Sequence, residues 1–385
     1  MTQWLESLAR KVAHGFRNRR RQYEALVELR ISRDAILHNL NAFKSIRTGV
    51  AIAPVLKSNA YGHGLTLVGG ILADQETPFF CVDSFFEARA LRADSINTPL
   101  LVIGHTPLET MLRSSLRDVS FCIIGLEELR ALASRARAGI RIHIELDTGM
   151  HRHGILPEEL DDALSLIRSS HRLELEGVYS HLADADTPES PLNAEQIVRW
   201  NAAAERVRAA MPSVRYFHCA ATAGSAHLPH MTGNVMRLGI GLYGINVSTE
   251  PLDLRPALEM TTRITSLRTV PEGETVGYNA TYRAAVPTRI ASIPAGYYEG
   301  VDRRLSNKGF VYVREIPCPI VGRVSMNITS IDVSDVPNVH AKDTVTVISK
   351  NPADKNSIEQ IAATCATIPY EILVRLPAHL RRSVV

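Results

Sequence analysis

Reactive side chains stand where short apolar runs of the sequence end. Lys57 follows the run Val50–Leu56, and His181 lies near the end of the run Leu175–Leu182. A lysine removed from water favours its neutral amine, which can form a Schiff base with a carbonyl compound. The position of Lys57 therefore indicates carbonyl chemistry, and an ordinary surface charge is the alternative.

A second group of residues suits an anion. Thr222, Gly239 and Gly241 stand at the ends of two later apolar runs. Small residues at such points let backbone N–H groups approach a phosphate closely. Arg152 and Arg237 add two guanidinium groups. A lysine and a phosphate site at one place indicate pyridoxal phosphate as the cofactor.

The elements that carry these residues must bring them together. Strand-like runs in the first two thirds of the chain alternate with Leu- and Ala-rich helical segments such as Glu127–Arg137 and Ala194–Ala210. Eight repeats of this alternation predict an α/β fold, a (β/α)8 TIM barrel with its functional residues at the carboxyl ends of the strands. A doubly wound sheet is the alternative. The eight runs are Val50–Leu56, Phe79–Asp83, Leu100–Gly104, Val119–Ile124, Arg141–Asp147, Leu175–Leu182, Tyr216–Thr222 and Val235–Gly244.

The composition and the hydrophobic periodicity of the sequence change after about Arg255. Prolines separate short β-branched stretches such as Phe310–Val313 and Thr344–Ile348, and helical periodicity returns only at Ser357–Thr367. This pattern predicts a mostly β C-terminal domain after the barrel. We therefore expect a basic extension over residues 1–22, a barrel over 23–255 and a β-rich domain over 256–385. The leading strand, within Tyr23–Ile31, is expected to join the C-terminal domain.

The composition bounds the class of protein. The chain has 385 residues, 45% hydrophobic and 22% charged, with a net charge of +3. These are globular proportions, and the small charge gives no reason to expect nucleic-acid binding. No run approaches the roughly 20 apolar residues of a membrane span. Five scattered cysteines argue against a disulfide framework or a zinc site, so no metal is expected.

The N-terminal extension lacks the apolar core of a signal peptide, so we expect a cytoplasmic protein. Arg17 and the run Arg19–Arg21 make it basic, next to an amphipathic pattern that includes Trp4 and Leu8. A helix that binds a membrane surface or a partner is one interpretation. A solvated tail is the other.

Six motifs in order resemble the PLP-dependent alanine racemase family, and the resemblance runs from about Ala25 to Leu380. The cofactor-lysine motif, Lys57–Gly64, is quite specific, and so is Asp147–Arg152 followed by Glu176–His181. Agreement at six ordered places makes a chance match improbable. The motifs are Lys57–Gly64, Asp147–Arg152, Glu176–His181, Arg237–Gly244, Val276–Tyr278 and Ile320–Met326.

The resemblance implies two acid–base residues and a dimer. Racemisation removes a proton from one face of the α-carbon and returns one to the other face, so two bases are needed. By resemblance Lys57 carries the cofactor and is one base. Tyr278 is the other, supplied by the neighbouring subunit of a head-to-tail homodimer.

The resemblance also implies the binding residues. Arg237 corresponds to the arginine at the pyridine nitrogen, and His181 to the imidazole on the ring face. Arg152 and the backbone of Met326 correspond to contacts of the substrate carboxylate, and Tyr297 to a tyrosine at the site entrance. The implied phosphate contacts are Tyr61, Thr222, Gly239, Ile240 and Tyr370.

Position 145 departs from the family pattern. Glu145 stands where well-known members carry a carbamylated lysine beside the carboxylate-binding arginine. Glutamate supplies a negative charge without carbon dioxide. We therefore expect Glu145 to support the site by orienting Arg152 directly, and a strand residue that points elsewhere is the alternative.

The expected activity is the interconversion of L-alanine and D-alanine, which supplies D-alanine for peptidoglycan. Tyr370 and Tyr297 favour a small substrate, although a serine racemase or a broader amino-acid racemase has the same architecture. A non-catalytic PLP-binding barrel would lack Tyr278. A PLP decarboxylase would need a substrate carboxylate that is not clamped by Arg152.

Overall fold

The computed structural model describes residues 24–46, 48–227 and 231–385. The basic extension predicted over residues 1–22 lies outside these residues. The chain divides into two compact units. The barrel unit comprises Ile31–Leu258, Pro369–Val374 and Val384–Val385. The β unit comprises the described residues up to Arg30, together with Glu259–Ile368 and Arg375–Ser383.

The barrel unit is built on strands that are buried on both faces. A run such as Val119–Ile123 is buried at every position, as expected for a parallel strand covered by helices outside and side chains inside. Among the described residues there are eight such parallel strands. They are β2 (Ala51–Pro54), β3 (Phe80–Val82), β4 (Leu100–Val102), β5 (Val119–Ile123), β6 (Ile140–Glu145), β7 (Leu173–Tyr179), β8 (Tyr216–His218) and β9 (Val235–Leu238).

The eight strands form a closed ring. Strands β3 to β8 make one parallel sheet in chain order, and β2 pairs with β9. A parallel bridge from Val55 to Cys81 joins β2 to β3. The N–H of Arg237 donates to Ala220 O at 3.0 Å, which joins β9 to the end of β8. The predicted (β/α)8 barrel is confirmed, and the open doubly wound sheet is excluded.

Helices of the barrel unit such as Leu126–Arg135 and Leu160–Ser169 bury one apolar stripe each. The helix Leu160–Ser169 buries Leu160, Ala163, Leu164 and Ile167, which are spaced along one helical face. Acidic residues begin this helix and Arg168 lies in its last turn, which suits the helix dipole. The barrel-unit helices are α1 (Arg33–Ile46), α2 (Leu65–Leu72), α3 (Phe85–Ala93), α4 (Leu108–Arg113), α5 (Leu126–Arg135), α6 (Leu160–Ser169), α7 (Pro191–Ala210) and α8 (Thr222–His227), joined later in the chain by α10 (Pro369–Val374).

The β unit contains antiparallel strands and little helix. Its elements are β1 (Glu28–Ile31), β10 (Leu258–Arg263), β11 (Ser266–Val270), β12 (Thr275–Val276), β13 (Tyr282–Arg283), β14 (Thr288–Ile293), β15 (Phe310–Val313), β16 (Ile316–Pro319), β17 (Thr329–Asp332), β18 (Thr344–Ile348), α9 (Ile358–Thr364) and β19 (Arg381–Val384). The largest sheet has the order β16-β15-β18-β10-β1-β19, so the leading strand β1 joins strands that are distant in sequence. A three-stranded sheet, β11-β14-β17, and a hairpin, β12-β13, complete the unit.

No helix in the described part of the chain has both the length and the apolar character that crossing a membrane requires.

Candidate active site

The barrel mouth collects the reactive residues that the sequence singled out. Lys57 follows β2, Glu145 ends β6, and His181 follows β7. Thr222 begins the helix after β8, and Arg237 lies on β9. These are the carboxyl ends of the barrel strands, where parallel barrels place their functional groups.

Lys57 opens a turn of unusual backbone. The four residues that follow it, Ser58 to Tyr61, all have positive φ between 51° and 57°. Left-handed backbone costs about 1–2 kcal/mol per non-glycine residue, so other contacts must hold this turn. The Lys57 side chain is 38% exposed, and its Nζ lies 3.9 Å from Asp83 Oδ1.

Glu87 is the main brace of this turn. Its Oε1 accepts from Asn59 N–H at 3.2 Å, and its Oε2 accepts from Asp83 N–H at 2.8 Å. Asn59 Oδ1 in turn accepts from Leu65 N–H at 2.9 Å. Glu87 thus ties the turn after β2 to the end of β3. Glu87 could not be predicted from the sequence, because nothing in the local pattern pairs it with a turn 28 residues away.

Arg237 is buried and held by several acceptors. Its Nη1 donates to His218 Nδ1 at 2.8 Å and to His218 O at 2.7 Å. Its Nη2 donates to Ser180 O at 2.8 Å and contacts His181 Nδ1 at 3.2 Å. Its Nε makes no hydrogen bond with any residue that the structure describes, so one donor remains for a ligand.

The guanidinium of Arg237 also fixes the neighbouring imidazoles. A guanidinium only donates, so the Nδ1 atoms of His218 and His181 must both accept and carry no proton. Burial, followed by the charge of Arg237, lowers the pKa of His181 to about 3. The same two causes hold the pKa of His218 well below its usual range. Both rings are therefore neutral at physiological pH.

Backbone and hydroxyl donors form a small cradle at the ends of β8 and β9. Thr222 Oγ1 accepts from the N–H of Gly239 at 3.2 Å and from the N–H of Gly241 at 3.4 Å. A Cβ atom at Gly239 would lie 2.8 Å from Tyr61 Oη. Ile240 begins a 3-10 turn, Ile240–Tyr243, and the first N–H groups of a turn have no acceptor within it. The Thr222 hydroxyl and the first N–H groups of this turn are donors that suit a phosphate.

Two tyrosines border this cradle. The rings of Tyr61 and Tyr370 are 6.1 Å apart between centroids. Burial raises the pKa of Tyr61 above its usual range. Burial and then the negative charge of Asp186 raise the pKa of Tyr370 to about 12. Both phenols keep their protons at neutral pH and can donate to an anion.

The loop after β6 presents Arg152. Asp147 Oδ1 accepts from the N–H groups of Gly149, Met150 and His151 at 2.9, 3.0 and 3.1 Å. Burial raises the pKa of Asp147, but these backbone hydrogen bonds outweigh it, so the pKa is lower than usual. Arg152 is exposed. Within the described chain its guanidinium has no hydrogen bond or ion pair, which leaves it available to a carboxylate.

The expected direct contact between Glu145 and Arg152 is wrong. Glu145 Oε2 accepts from Tyr179 Oη at 2.9 Å. The same oxygen lies 2.7 Å from His153 Nδ1. No hydrogen bond or ion pair joins Glu145 to Arg152 in the described structure, because this carboxylate oxygen already faces Tyr179 and His153. The sequence analysis missed both of these partners.

The remaining predicted residues lie in the β unit and are exposed. Tyr278 is 68% exposed, Met326 56% and Tyr297 44%. Tyr278 follows Gly277, whose φ is +78°, and its side chain makes no hydrogen bond with any described residue. Val276, just before them, is buried with Ile290 and Val321, so the backbone beneath Tyr278 is anchored while its side chain is free.

Tyr297 and Met326 lie on adjacent backbone segments. The N–H of Tyr297 donates to Ser325 O at 3.0 Å, and the N–H of Tyr298 donates to Met326 O at 2.9 Å. A Cβ atom at Gly296 would strike the carbonyl oxygens of Ser325 and Met326. This close approach requires glycine, and it fixes the backbone segments of Tyr297 and Met326 relative to each other.

Comparison with known proteins gives one family for both units of the chain. The family model described as "Alanine racemase, N-terminal domain" matches residues 31–247, and "Alanine racemase, C-terminal domain" matches residues 257–384. An alanine racemase from Syntrophobacter fumaroxidans is 37% identical over 345 residues, which covers 88% of this chain and 92% of the relative. One from Methanococcus maripaludis is 31% identical and covers 91% and 96%.

Solved structures agree. The alanine racemase of Clostridium difficile 630 superposes with a TM-score of 0.88 at 25% identity, covering 94% of this chain and 97% of that one. The alanine racemase of Bacillus anthracis with bound L-Ala-P has a TM-score of 0.86 at 29% identity and covers 94% and 96%. The similarity therefore extends over both units of the chain.

Proposed function

This chain belongs to the alanine racemase family, a family of PLP-dependent amino-acid racemases, and we propose how its residues interconvert L-alanine and D-alanine. The observation that carries the proposal is the barrel mouth. It holds an amine on Lys57, a guanidinium with one unused donor on Arg237, and a cradle that a Cβ at Gly239 would fill.

These residues fit the cofactor. The cradle formed by Tyr61, Thr222, Gly239, the N–H of Ile240 and Tyr370 would hold the phosphate. His181 would pack on the ring face, and Arg237 Nε–H would donate to the ring nitrogen. Lys57 would hold the aldehyde carbon. When bound, PLP supplies the electron sink that makes the α-proton of an amino acid acidic.

Arg237 is suited to control that chemistry. A guanidinium stays protonated, so the Nε–H of Arg237 would donate to the ring nitrogen without passing on a proton. The acceptors of its other nitrogens, on His218 and Ser180, hold it rigidly in this orientation. We propose that Arg237 keeps the ring nitrogen unprotonated and thereby limits side reactions such as transamination.

The substrate carboxylate is assigned to Arg152 and to the backbone of Met326. Arg152 has no partner within the described residues, so it does not have to break an ion pair to bind one. Tyr297, held beside Met326 through the backbone, would border the entrance and favour a small side chain. Alanine is the substrate that fits this assignment.

Lys57 and Tyr278 are proposed as the two bases. Lys57 would exchange a proton on one face of the α-carbon, and Tyr278 on the other. The exposure of Tyr278 supports its action in the site of a second subunit, in a head-to-tail homodimer. We expect each active site to combine the barrel unit of one protomer with the β unit of its partner.

The role proposed for the product is D-alanine supply for peptidoglycan.

We also propose a cytoplasmic location. All five cysteines are free thiols buried in the protein, which supports a compartment that keeps thiols reduced.

The test is hydrogen exchange with chiral analysis. PLP-loaded protein is incubated in heavy water with L-alanine, and separately with L-serine and L-lysine. Deuterium at the α-carbon together with D-alanine, with little product from the other two, is expected. Equal turnover of serine or lysine would indicate a broader racemase. A visible cofactor spectrum without exchange would contradict the activity and indicate a PLP-binding protein.

A further inference from the structure

Two histidines in the loop after β6 meet different carboxylates. His151 Nδ1 lies 3.3 Å from Asp147 Oδ2, and its side chain is 78% exposed. His153 Nδ1 lies 2.7 Å from Glu145 Oε2, and its side chain is only 32% exposed. The first pair is near solvent. The second is next to Arg152 in sequence and lies at the end of a barrel strand.

Glu145 is a costly group to bury without a counter-charge. A buried carboxylate either gains a cationic partner or takes up a proton. Tyr179 Oη donates to Glu145 Oε2 at 2.9 Å, and Cys122 Sγ lies 3.9 Å from the same oxygen. Neither of these neutral groups balances its charge.

Several groups around Glu145 act on its pKa to different extents. Burial raises the pKa of Glu145, and the charge of His153 opposes this shift most strongly. The hydrogen bond from Tyr179 and the charges of Arg237 and Arg152 follow in that order. The charges of Arg237, Arg152, Lys57 and His153 also lower the pKa of His181, in that order after burial.

We propose that His153 is a positioning residue that occupies the Glu145 carboxylate and so keeps the charge of Arg152 available for the substrate carboxylate. The proposal rests on the assignment of Arg152 in the proposed function. It reverses our expectation from the sequence, in which Glu145 itself engages Arg152. In the structure the carboxylate faces His153, and Arg152 has no ion-pair partner among the described residues.

Two consequences follow from this arrangement. His153, the residue after Arg152, lies with its Nδ1 2.7 Å from Glu145 Oε2 at the end of β6, so Arg152 is next to this contact. Removing the imidazole of His153 would leave Glu145 as an unbalanced anion that attracts Arg152 and repels an incoming carboxylate. Substrate affinity should then fall, while the proton-transfer steps stay as they are.

The test is a double-mutant cycle of His153→Gln and Glu145→Gln, with propionate as the ligand. Propionate is a carboxylate of the same length as alanine. Affinity for propionate is measured by calorimetry on PLP-loaded protein, with kcat and KM for L-alanine alongside. His153→Gln should weaken propionate binding and raise KM about tenfold at neutral pH, as expected for one partly screened charge, with kcat within about twofold. Adding Glu145→Gln to this variant removes the unbalanced anion and should restore affinity.

The pH profile adds a second readout. In His153→Gln, affinity should return as the pH falls through the raised pKa of Glu145, because the protonated carboxyl no longer repels the ligand. The double variant should lack this step. His151→Gln is the matched control, since it removes an imidazole two residues away, and it should bind propionate like the wild type.

The outcomes separate the two proposals. Wild-type affinity in His153→Gln, or a double variant no better than the single one, would overturn the role of His153. The double variant carries no unbalanced charge, so it keeps the test valid if His153→Gln folds poorly. Failure of the wild type to racemise alanine would refute the proposed function, and the propionate cycle would still report on the pair.

Discussion

The barrel mouth differs from the exposed surface of the β unit that carries Tyr278, Tyr297 and Met326, which we call the tyrosine surface. The two regions hold their side chains in different ways. Arg237 in the barrel is buried, and both of its Nη atoms have protein acceptors. Tyr278 in the β unit is exposed and has only its backbone anchored. Side chains and backbone of the barrel itself hold Arg237 in place. The tyrosine surface has an anchored backbone and exposed side chains, as expected of a surface that contacts another subunit.

Replacing Tyr278 tests this difference most strongly. Tyr278→Phe keeps the ring but removes the acid–base group, so racemisation should fall about 10²–10⁴-fold. Hydrogen exchange on the face served by Lys57 should persist. Deuterium incorporation from each alanine enantiomer in heavy water measures both quantities.

The control for this variant is Tyr298→Phe. Tyr298 is also an exposed tyrosine of the β unit, and it stacks on His379 at 4.6 Å. Its loss should leave racemisation unchanged. Turnover of Tyr278→Phe within about tenfold of the wild type would argue against a second base at this position.

A glycine in the barrel should show how little freedom the cradle has. Gly239→Ala places a methyl group 2.8 Å from Tyr61 Oη, which forces the phenol or the backbone to shift. We expect the dissociation constant for PLP to rise about tenfold or more, because overpacking a tight site costs about 1–3 kcal/mol. Titration of the apoprotein with PLP, followed by absorbance, measures it.

Gly70→Ala is the matched substitution for this comparison. Gly70 lies in the helix Leu65–Leu72, and a Cβ there would meet nothing within 4 Å. The affinity of Gly70→Ala for PLP should equal that of the wild type. Equal affinities in the two alanine variants would mean that the cradle at Gly239 does not hold the phosphate.

The smallest expected effect concerns acid stability, which should reside in the barrel unit. Burial, with the charges of Arg215 and Arg237, lowers the pKa of His143 to about 3, against about 6.5 in an unfolded chain. The unfolded state then binds more protons, so the free energy of unfolding falls as the pH drops from about 6.5 toward 3. The wild type should lose about 2 kcal/mol more unfolding free energy than His143→Gln between roughly pH 6.5 and 5.

Urea unfolding across this pH range measures the slope. His379→Gln removes an exposed imidazole of the β unit and should leave it unchanged. Parallel curves for the wild type and His143→Gln would show that His143 is not held neutral by burial.

Much of the fold could be predicted from the sequence because each barrel strand is a short apolar run bounded by turns. The run Val119–Ile124 corresponds to β5 at Val119–Ile123, and the stretch Phe310–Val313 to β15 with the same bounds. Helix ends were less accurate. The segment predicted over Glu127–Arg137 is the helix Leu126–Arg135, since the apolar stripe fades gradually at both ends.

The contacts of the site were harder to predict because they depend on distant residues. Glu145 meets Tyr179 from the next strand and His153 from the following loop, and spacing along the chain does not reveal either contact. The left-handed turn after Lys57 contains no glycine between Ser58 and Tyr61, so its sequence predicts an ordinary backbone. The segment Pro369–Val374, expected in the C-terminal domain, groups with the barrel unit and brings Tyr370 to Tyr61.

Complementation between two inactive variants tests the central claim that each site takes its second base from a partner subunit. Lys57→Ala and Tyr278→Phe subunits are given different affinity tags, mixed under exchange conditions, and purified as heterodimers. Each such dimer then has one site with both bases intact, so its racemase activity should be about half that of the wild-type dimer. Both variant homodimers should stay near background. Heterodimers no more active than these homodimers would contradict a shared site.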